Sequence, residues 1–380
     1  MGPPAGIMIK YIGSKRLLVD HIAAIVALLP RAQTALDLFS GTARVGHALK
    51  RRGYRVTAND HTTYAHRLAQ CYVQADRARW HDEAEALLAE LSALPPSPGY
   101  VTQTFCHDSR YFHPKNGARI DAIRERIADL SLPAELEAIA LTSLMEAADR
   151  VDSTVGLQMA YLKKWAPRAH NDLSLRMPAL LDGPGEALQL DALECARQVP
   201  ADVAYLDPPY NQHKYMNNYH VWESLARWDK PEVYGVAKKR VDCREYSSPF
   251  NSRRKIADAF DALVGALRTR FLIVSFNDEG YLSQDVLREI LSARGELQVL
   301  SVAYKRYVGA KIGIYNPSGV KTGTVGKLKN RELLFVVDCE GAGLPDLAHL
   351  VAEQAPGQTL EQTSKPGAGE QLPLAQELEG

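Results

Sequence analysis

The chain has 380 residues, 46% of them hydrophobic and 24% charged, a composition ordinary for a globular protein and enough for one or two domains. No apolar run approaches the ~20 residues of a membrane-spanning helix, so neither an anchor nor a secretory leader is expected. The net charge is zero, but residues 340–380 carry −6 and the preceding residues +6, a balance compatible with nucleic acid without being diagnostic of it. The five cysteines are scattered with no C-x-x-C pair, which argues against a zinc site or a disulfide framework and suits a reducing cytoplasm.

In chain order, Thr34–Phe39 is a short apolar run that stops at Ser40-Gly41, and Ala43–Arg52 has helical spacing. Tyr54–Ala58 then reads as a second strand ending in Asn59-Asp60. This alternation predicts a doubly wound α/β sheet. Residues 62–186 break the rhythm. Ala65–Leu91 and Ala118–Asp149 are rich in Ala, Leu and Glu at helical spacing, with a loop at Pro95, Pro96, Pro98 and Gly99 between them. They predict a mostly helical domain inserted into a catalytic domain made of residues 1–61 and 187–340. Strands resume at Ala187–Leu190, Val203–Leu206, Phe271–Phe276, Glu296–Tyr304 and Glu332–Val337, with helices at Ser252–Arg268 and Gln284–Arg294. Residues 305–330 read as a basic hairpin or loop with a turn at Asn316-Pro317-Ser318-Gly319. Residues 341–380, rich in Pro, Gly, Gln and Glu, read as a disordered acidic tail.

The most specific motif is Asp207-Pro208-Pro209-Tyr210, just past the strand Val203–Leu206, where open α/β sheets hold their ligands. A capped Pro-Pro turn is the plain reading. An acid, two prolines and an aromatic together at a strand exit favour a rigid functional loop. The second motif is Asp37-Leu38-Phe39-Ser40-Gly41-Thr42, a glycine turn from strand to helix, followed by an acid, Asp60, at the end of the next strand. That layout brings backbone close to a nucleoside and offers ribose hydroxyls a carboxylate. Gly41 and Gly46 have P-loop spacing, but His47-Ala48 stands where a P-loop has Lys-Ser/Thr. There is no G-x-G-x-x-G for a pyrophosphate either. A ligand without phosphates fits better.

With Tyr11-Ile12-Gly13-Ser14-Lys15 added, three motifs stand in one order. The chain in this respect resembles the adenine-specific DNA amino-methyltransferases of the Dam-like (alpha) group. The resemblance spans residues 8–340, with gaps in the helical insertion. It implies a Rossmann-like, S-adenosylmethionine-dependent methyltransferase fold with a mixed seven-stranded sheet and a helical target-recognition insertion. It implies that Asp207, Pro208, Pro209 and Tyr210 are catalytic. It also implies cofactor contacts from Tyr11, Lys15, Asp37, Phe39, Ser40, Gly41, Thr42, Asp60, Asp191, Ala192 and Asp207, and no metal. One departure is Ser40-Gly41-Thr42-Ala43, where many members carry another small residue and further glycines; Thr42 and Ala43 are small enough to keep backbone approach open.

The implied substrate is an adenine flipped out of double-stranded DNA and methylated on its exocyclic amino group. The implied setting is the modification component of a restriction-modification system with a cognate endonuclease, acting as a monomer or weak dimer. An orphan regulatory methylase, a cytosine N4-methyltransferase and a non-catalytic DNA-binding protein remain as alternatives. Residues 304–331 hold seven Lys or Arg and no acid, which makes Lys305, Arg306, Lys311 and Lys321 candidates for phosphate contact. Lys238, Lys239 and Arg240 form a second basic group, and Lys163, Lys164 and Arg168 a third. Arg150, near a helix end, could read bases or serve as part of a cap.

Overall fold

The computed structural model describes residues 9–13, 15–162, 164–277, 280–305, 329–347, 350 and 359–362, with backbone alone at 303–305, 329–331 and 359–362. In chain order the strands are β1 (Thr34–Asp37), β2 (Arg55–Asn59), β3 (Gly185–Leu188), β4 (Ala201–Leu206), a short ribbon of β5 (Val233–Tyr234) and β6 (Lys239–Arg240), β7 (Thr269–Asn277), β8 (Glu296–Lys305), β9 (Lys329–Asp338) and β10 (Thr359–Gln362). The α-helices are α1 (Val19–Leu28), α2 (Arg44–Lys50), α3 (Thr63–Ala69), α4 (Arg77–Ala93), α5 (Pro114–Asp129), α6 (Ala134–Arg150), α7 (Ala192–Gln198), α8 (Tyr215–Asn218), α9 (His220–Arg227), α10 (Ile256–Ala266) and α11 (Gln284–Arg294).

Seven strands in the order β8-β9-β7-β4-β1-β2-β3 form the mixed sheet of the methyltransferase fold, and β10 adds an eighth at the β8 edge. β1 to β4 and β7 pair in parallel, while β9 runs against both of its neighbours. Strand order reverses between β1 and β4, so the chain leaves these two in opposite directions and opens a crevice beyond their carboxyl ends. The alternation of side chains along each strand supplies two cores. Ala35, Val56, Val203, Ile273 and Val336 face one side with residues of α1, α3, α6 and α9. Leu36, Ala204, Val274 and Val337 face the other with α10 and α11. Phe271–Phe276 is buried on both sides, as its continuous apolar run predicts.

The helical segment between β2 and β3 shares the first core; Tyr64, Leu68, Leu141 and Leu144 pack in it with Ala35 and Val56. Every residue of α6 from Ala138 to Asp149 is buried. Both long helical stretches read from the sequence are interrupted. The first passes from α3 through a wide turn at Gln70–Gln74 and stops at Asp76, whose carboxylate accepts the Ala78 amide of α4 at 3.0 Å. The second breaks between α5 and α6 at Pro133, whose ring bars its predecessor from helical geometry. Helices α1, α7, α8 and α9 and the β5–β6 ribbon were not anticipated. The segment read as a disordered tail contains β10, which pairs antiparallel with β8. Most of the basic segment, residues 306–328, lies outside the described residues, as do 363–380.

Candidate active site

Beyond the carboxyl ends of β1, β2, β3 and β4 lies a cleft of about 190 Å³, lined among others by Tyr11, Phe39, Gly41, Asp60, Asp191, Ala192, Asp207, Pro209, Tyr215, Tyr246 and Phe250. A smaller recess of about 30 Å³, lined by Lys15, Asp37, Ser40, Thr42 and Arg44, shares Tyr11, Phe39, Gly41 and Asp207 with it. The cofactor residues expected from the sequence therefore converge here, from three widely separated stretches of chain.

Several side chains hold this shape. Asn59, buried at the end of β2, donates to the carbonyls of Leu38 and Leu190, each at 3.2 Å, and accepts the Leu190 amide at 3.0 Å. It therefore ties together the exits of β1, β2 and β3. Asp60 accepts the Gly41 amide at 3.0 Å and the Thr62 amide and hydroxyl at 2.9 and 2.8 Å. Gly41 has φ +51°, and a Cβ there would stand 3.2 Å from the Tyr11 ring. Both the left-handed turn and the close approach require glycine. The Tyr11 ring lies in a stack with Tyr219 at 4.6 Å and Tyr215 at 5.2 Å. Phe39 meets Phe250 edge to face at 5.5 Å. Asp37 accepts the Gly46 amide at 2.8 Å, and burial pushes its carboxyl up to about 7. Asp191 caps α7 through the amides of Leu193 and Glu194.

The loop after β4 is pinned on both sides. Asp207 Oδ1 accepts the Ser275 hydroxyl at 3.1 Å and lies 3.0 Å from the Lys15 ammonium. The Tyr205 hydroxyl is 2.8 Å from Ser275 Oγ. Lys15 also pairs with Glu332, a buried carboxylate at the start of the described side chains of β9. Burial works against charge on Lys15, but Asp207 and Glu332 outweigh it and hold its pKa well above the usual lysine value. Burial pushes the Asp207 carboxyl up to about 6 against the pull of Lys15, and Glu332 adds to the rise. The Tyr210 carbonyl accepts the Tyr281 amide at 2.8 Å, and its half-buried ring lies 5.4 Å from that of Phe276.

The sequence reading missed Glu332, Ser275, Asn59, His61, Tyr215, Tyr246 and Phe250. Two signals were available: a serine inside the apolar run Phe271–Phe276, and an acid opening the run Glu332–Val337. Lone polar residues at the ends or middle of buried strands need partners.

The basic residues divide differently. Arg240 is not available to DNA: its side chain is 1% exposed and forks onto Asp229 at 2.7 and 2.6 Å, with Asp242 at 2.9 Å. Arg168 is engaged by Asp152 at 2.6 Å and the Thr154 carbonyl at 2.5 Å, and Arg150 by the Ser174 carbonyl at 2.6 Å. Asp152 also binds Lys10 at 2.9 Å, so this cluster staples the N-terminal segment to the end of α6. Lys238 faces Asp108 at 3.4 Å. Lys239 is half-buried in β6, and Lys164 is exposed. Lys163, Arg306, Lys311, Lys321 and the Lys305 side chain lie outside the described residues. Among the described residues no helix is long and apolar enough to cross a membrane, and no group of side chains could hold a metal ion.

The geometry agrees with the similarities of the chain. Type II methyltransferase M.NlaIII of Neisseria lactamica is 32% identical over 319 residues, covering 80% of this chain and 93% of that protein. Type II methyltransferase M.FokI of Planomicrobium okeanokoites is 30% identical over 322 residues, and the modification methylase StsI of Streptococcus sanguinis 29% over 319. The chain aligns with 49% and 48% of the length of these two, about half of each. The D12 class N6 adenine-specific DNA methyltransferase family matches residues 11–290. With Asp207-Pro208-Pro209-Tyr210 at the mouth of an aromatic, acid-walled cleft, the chain belongs to the D12 class of N6 adenine-specific DNA methyltransferases.

Proposed function

We propose that the chain moves the sulfonium methyl of S-adenosyl-L-methionine onto the N6 amino group of an adenine turned out of double-stranded DNA. The residues of the cleft fit that cofactor. Phe39, Phe250, Leu190 and Ala192 offer apolar surface for a purine ring, and Asp60 and Asp191 offer carboxylates for ribose hydroxyls. The bound cofactor supplies an electrophilic methyl group; position and electrostatics are the task of the chain.

The adenine amino group is a poor nucleophile because its lone pair is delocalised into the ring. Asp207 and the Pro208 carbonyl can accept its two N–H bonds, which localises that lone pair. The fixed φ of each proline keeps the second acceptor in place. Positive charge grows on the nitrogen during transfer, so acceptors that are already oriented favour the transition state. With its carboxyl pushed up to about 6, Asp207 is basic enough to take the proton the nitrogen sheds. A base must leave the duplex to reach this loop, and the Tyr210 ring offers it a stacking face contributing roughly 1–3 kcal/mol.

The observation that carries this reading is Asp207 itself, held by Lys15 and Ser275 where the two lobes of the cleft meet. The test is incorporation of labelled methyl into DNA followed by nucleoside analysis. Label in N6-methyladenine that disappears in Asp207→Ala, with DNA binding retained, is the expected result. Label in N4-methylcytosine, or none with any DNA, overturns it. The same reading makes the chain the modification half of a restriction-modification pair, its partner a cognate endonuclease. Lys164 and the group Lys305, Arg306, Lys311 and Lys321 are its candidate phosphate contacts.

A further inference from the structure

Helix α9 begins without a cap of its own. Tyr219, at its N-cap position, makes no side-chain capping bond; its hydroxyl instead accepts the Ile12 amide at 2.6 Å. The first amides of a helix have no partner within it and need one from outside. The partner here is Gln158, which stands 63 residues before Val221 in the chain. Its Oε1 accepts the Val221 amide at 2.9 Å and the Trp222 amide at 3.4 Å. Its main chain grips the same turn. The Gln158 amide donates to the Asn218 carbonyl at 2.8 Å, and the Gln158 carbonyl lies 2.8 Å from His220 Nε2 and accepts the Tyr111 hydroxyl at 2.7 Å. Gln158 is 4% exposed, whereas Val155 and Met159 on the same loop are 77% and 42% exposed. Polar contacts to α9, rather than burial of those two apolar side chains, hold the loop in place.

The turn that Gln158 fixes reaches the cleft. Tyr219 is buried between α8 and α9, and its ring lies 4.6 Å from that of Tyr11, which lines both lobes. With its hydroxyl on Ile12 and its ring on Tyr11, this one side chain holds two successive residues of the N-terminal segment. Tyr215, one turn earlier, lines the larger lobe and stacks on the same Tyr11 ring. Where α9 starts therefore determines where Tyr11 stands. Freeing the Val221 and Trp222 amides leaves two buried donors unpaired, a cost that the chain reduces by shifting this turn.

We propose that Gln158 is a positioning residue for the cofactor lobe: by capping α9 from a distant loop it fixes Tyr219, and through Tyr219 it fixes Tyr11 and Ile12. This rests on the reading of the large lobe as the S-adenosylmethionine site. Calorimetric titration of the full chain and its variants with S-adenosylhomocysteine tests it. Gln158→Met keeps the length of the side chain and removes the acceptor; affinity falls roughly 10-fold. Gln158→Glu keeps an acceptor for both amides and adds a negative charge that a helix start favours; most of the loss is recovered. Tyr219→Phe keeps the ring and removes the acceptor of the Ile12 amide; affinity falls. Adding Gln158→Met to Tyr219→Phe then costs less than Gln158→Met costs alone, because both act through one link. A residue that only supported the fold would lower the urea midpoint in Gln158→Met and leave affinity unaltered, or would add its full loss on top of Tyr219→Phe; either result overturns the proposal. Should Gln158→Met not fold, Tyr219→Phe decides: weaker affinity supports the link, and affinity equal to that of the unsubstituted chain removes it. If the unsubstituted chain does not bind S-adenosylhomocysteine, the cofactor site itself is wrong and this assignment falls with it.

Discussion

The Lys15 ammonium stands between two carboxylates, Asp207 and Glu332, that lie 192 and 317 residues away along the chain. Their combined charge is −1, which favours a cationic sulfonium beside them. Asp207 must be unprotonated to accept an N–H. Its value of about 6 therefore predicts that kcat/KM falls as pH drops below about 6, approaching tenfold per unit. Glu332 repels charge on Asp207 and raises that value. In Glu332→Gln the acid limb of the profile moves to lower pH, while a residue that only supported the fold would change rate or stability without moving the limb. Tyr205, Tyr210, Tyr215 and Asp37 also face this group, and none of them is altered by the substitution. A limb that stays in place removes Glu332 from the electrostatics of the site.

Two elements carry local conformations with measurable consequences. The turn between β1 and α2 has left-handed residues at Gly41, φ +51°, and at Ala43, φ +57°. Ala43 ends the stretch Ser40–Ala43 that departs from the motif, and alanine in that conformation costs about 1 kcal/mol. In Gly41→Ala the new methyl would meet both the strained φ and the Tyr11 ring. A loss of about 1–3 kcal/mol in thermal unfolding is expected, with weaker binding of S-adenosylhomocysteine; unchanged values for both would contradict the close approach. In the β5–β6 ribbon, Arg240 gathers Asp229 and Asp242 onto the end of α9. Its removal leaves these two partly exposed carboxylates to Arg227 alone, which lies 2.9 and 2.8 Å from them. Arg240→Ala is expected to cost about 2–4 kcal/mol in urea unfolding and to leave the salt dependence of DNA binding as it was. A DNA contact would give the reverse pattern.

At the scale of the molecule, sheet order determines what meets at the site. Reversal between β1 and β4 brings the glycine turn and the Asp207 loop to one crevice. Because β9 runs antiparallel, its beginning, not its end, lies at the carboxyl edge of β7, and Glu332 pairs with Asn277 there. The helices between β2 and β3 share the core of the sheet's first face. DNA affinity is tested at this scale too. If Lys311 and Lys321 meet phosphates, the double alanine variant lowers the slope of log K against log salt by about 2. An unchanged slope would move the electrostatic contacts elsewhere.

The local motifs were legible in the chain itself. Asp207-Pro208-Pro209-Tyr210 and the Phe39–Thr42 turn need particular residue types at adjacent positions, and apolar periodicity located most strands of the sheet. Adjacency in sequence therefore determined the chemistry and the class of fold. Interruptions of the helices were less legible, since Asp76 and Pro133 act through single capping or steric effects inside otherwise helical composition. What only tertiary structure decided is which charges have partners. Arg240, Arg168 and Arg150 read as candidate DNA contacts and are engaged by internal acceptors, whereas Arg44 lies in a stretch read only as helix, and its Nε has no hydrogen-bond partner among the described residues. The reason is physical: the electrostatic energy of a charge depends on burial and on groups distant in sequence, and neither is encoded in its neighbours along the chain.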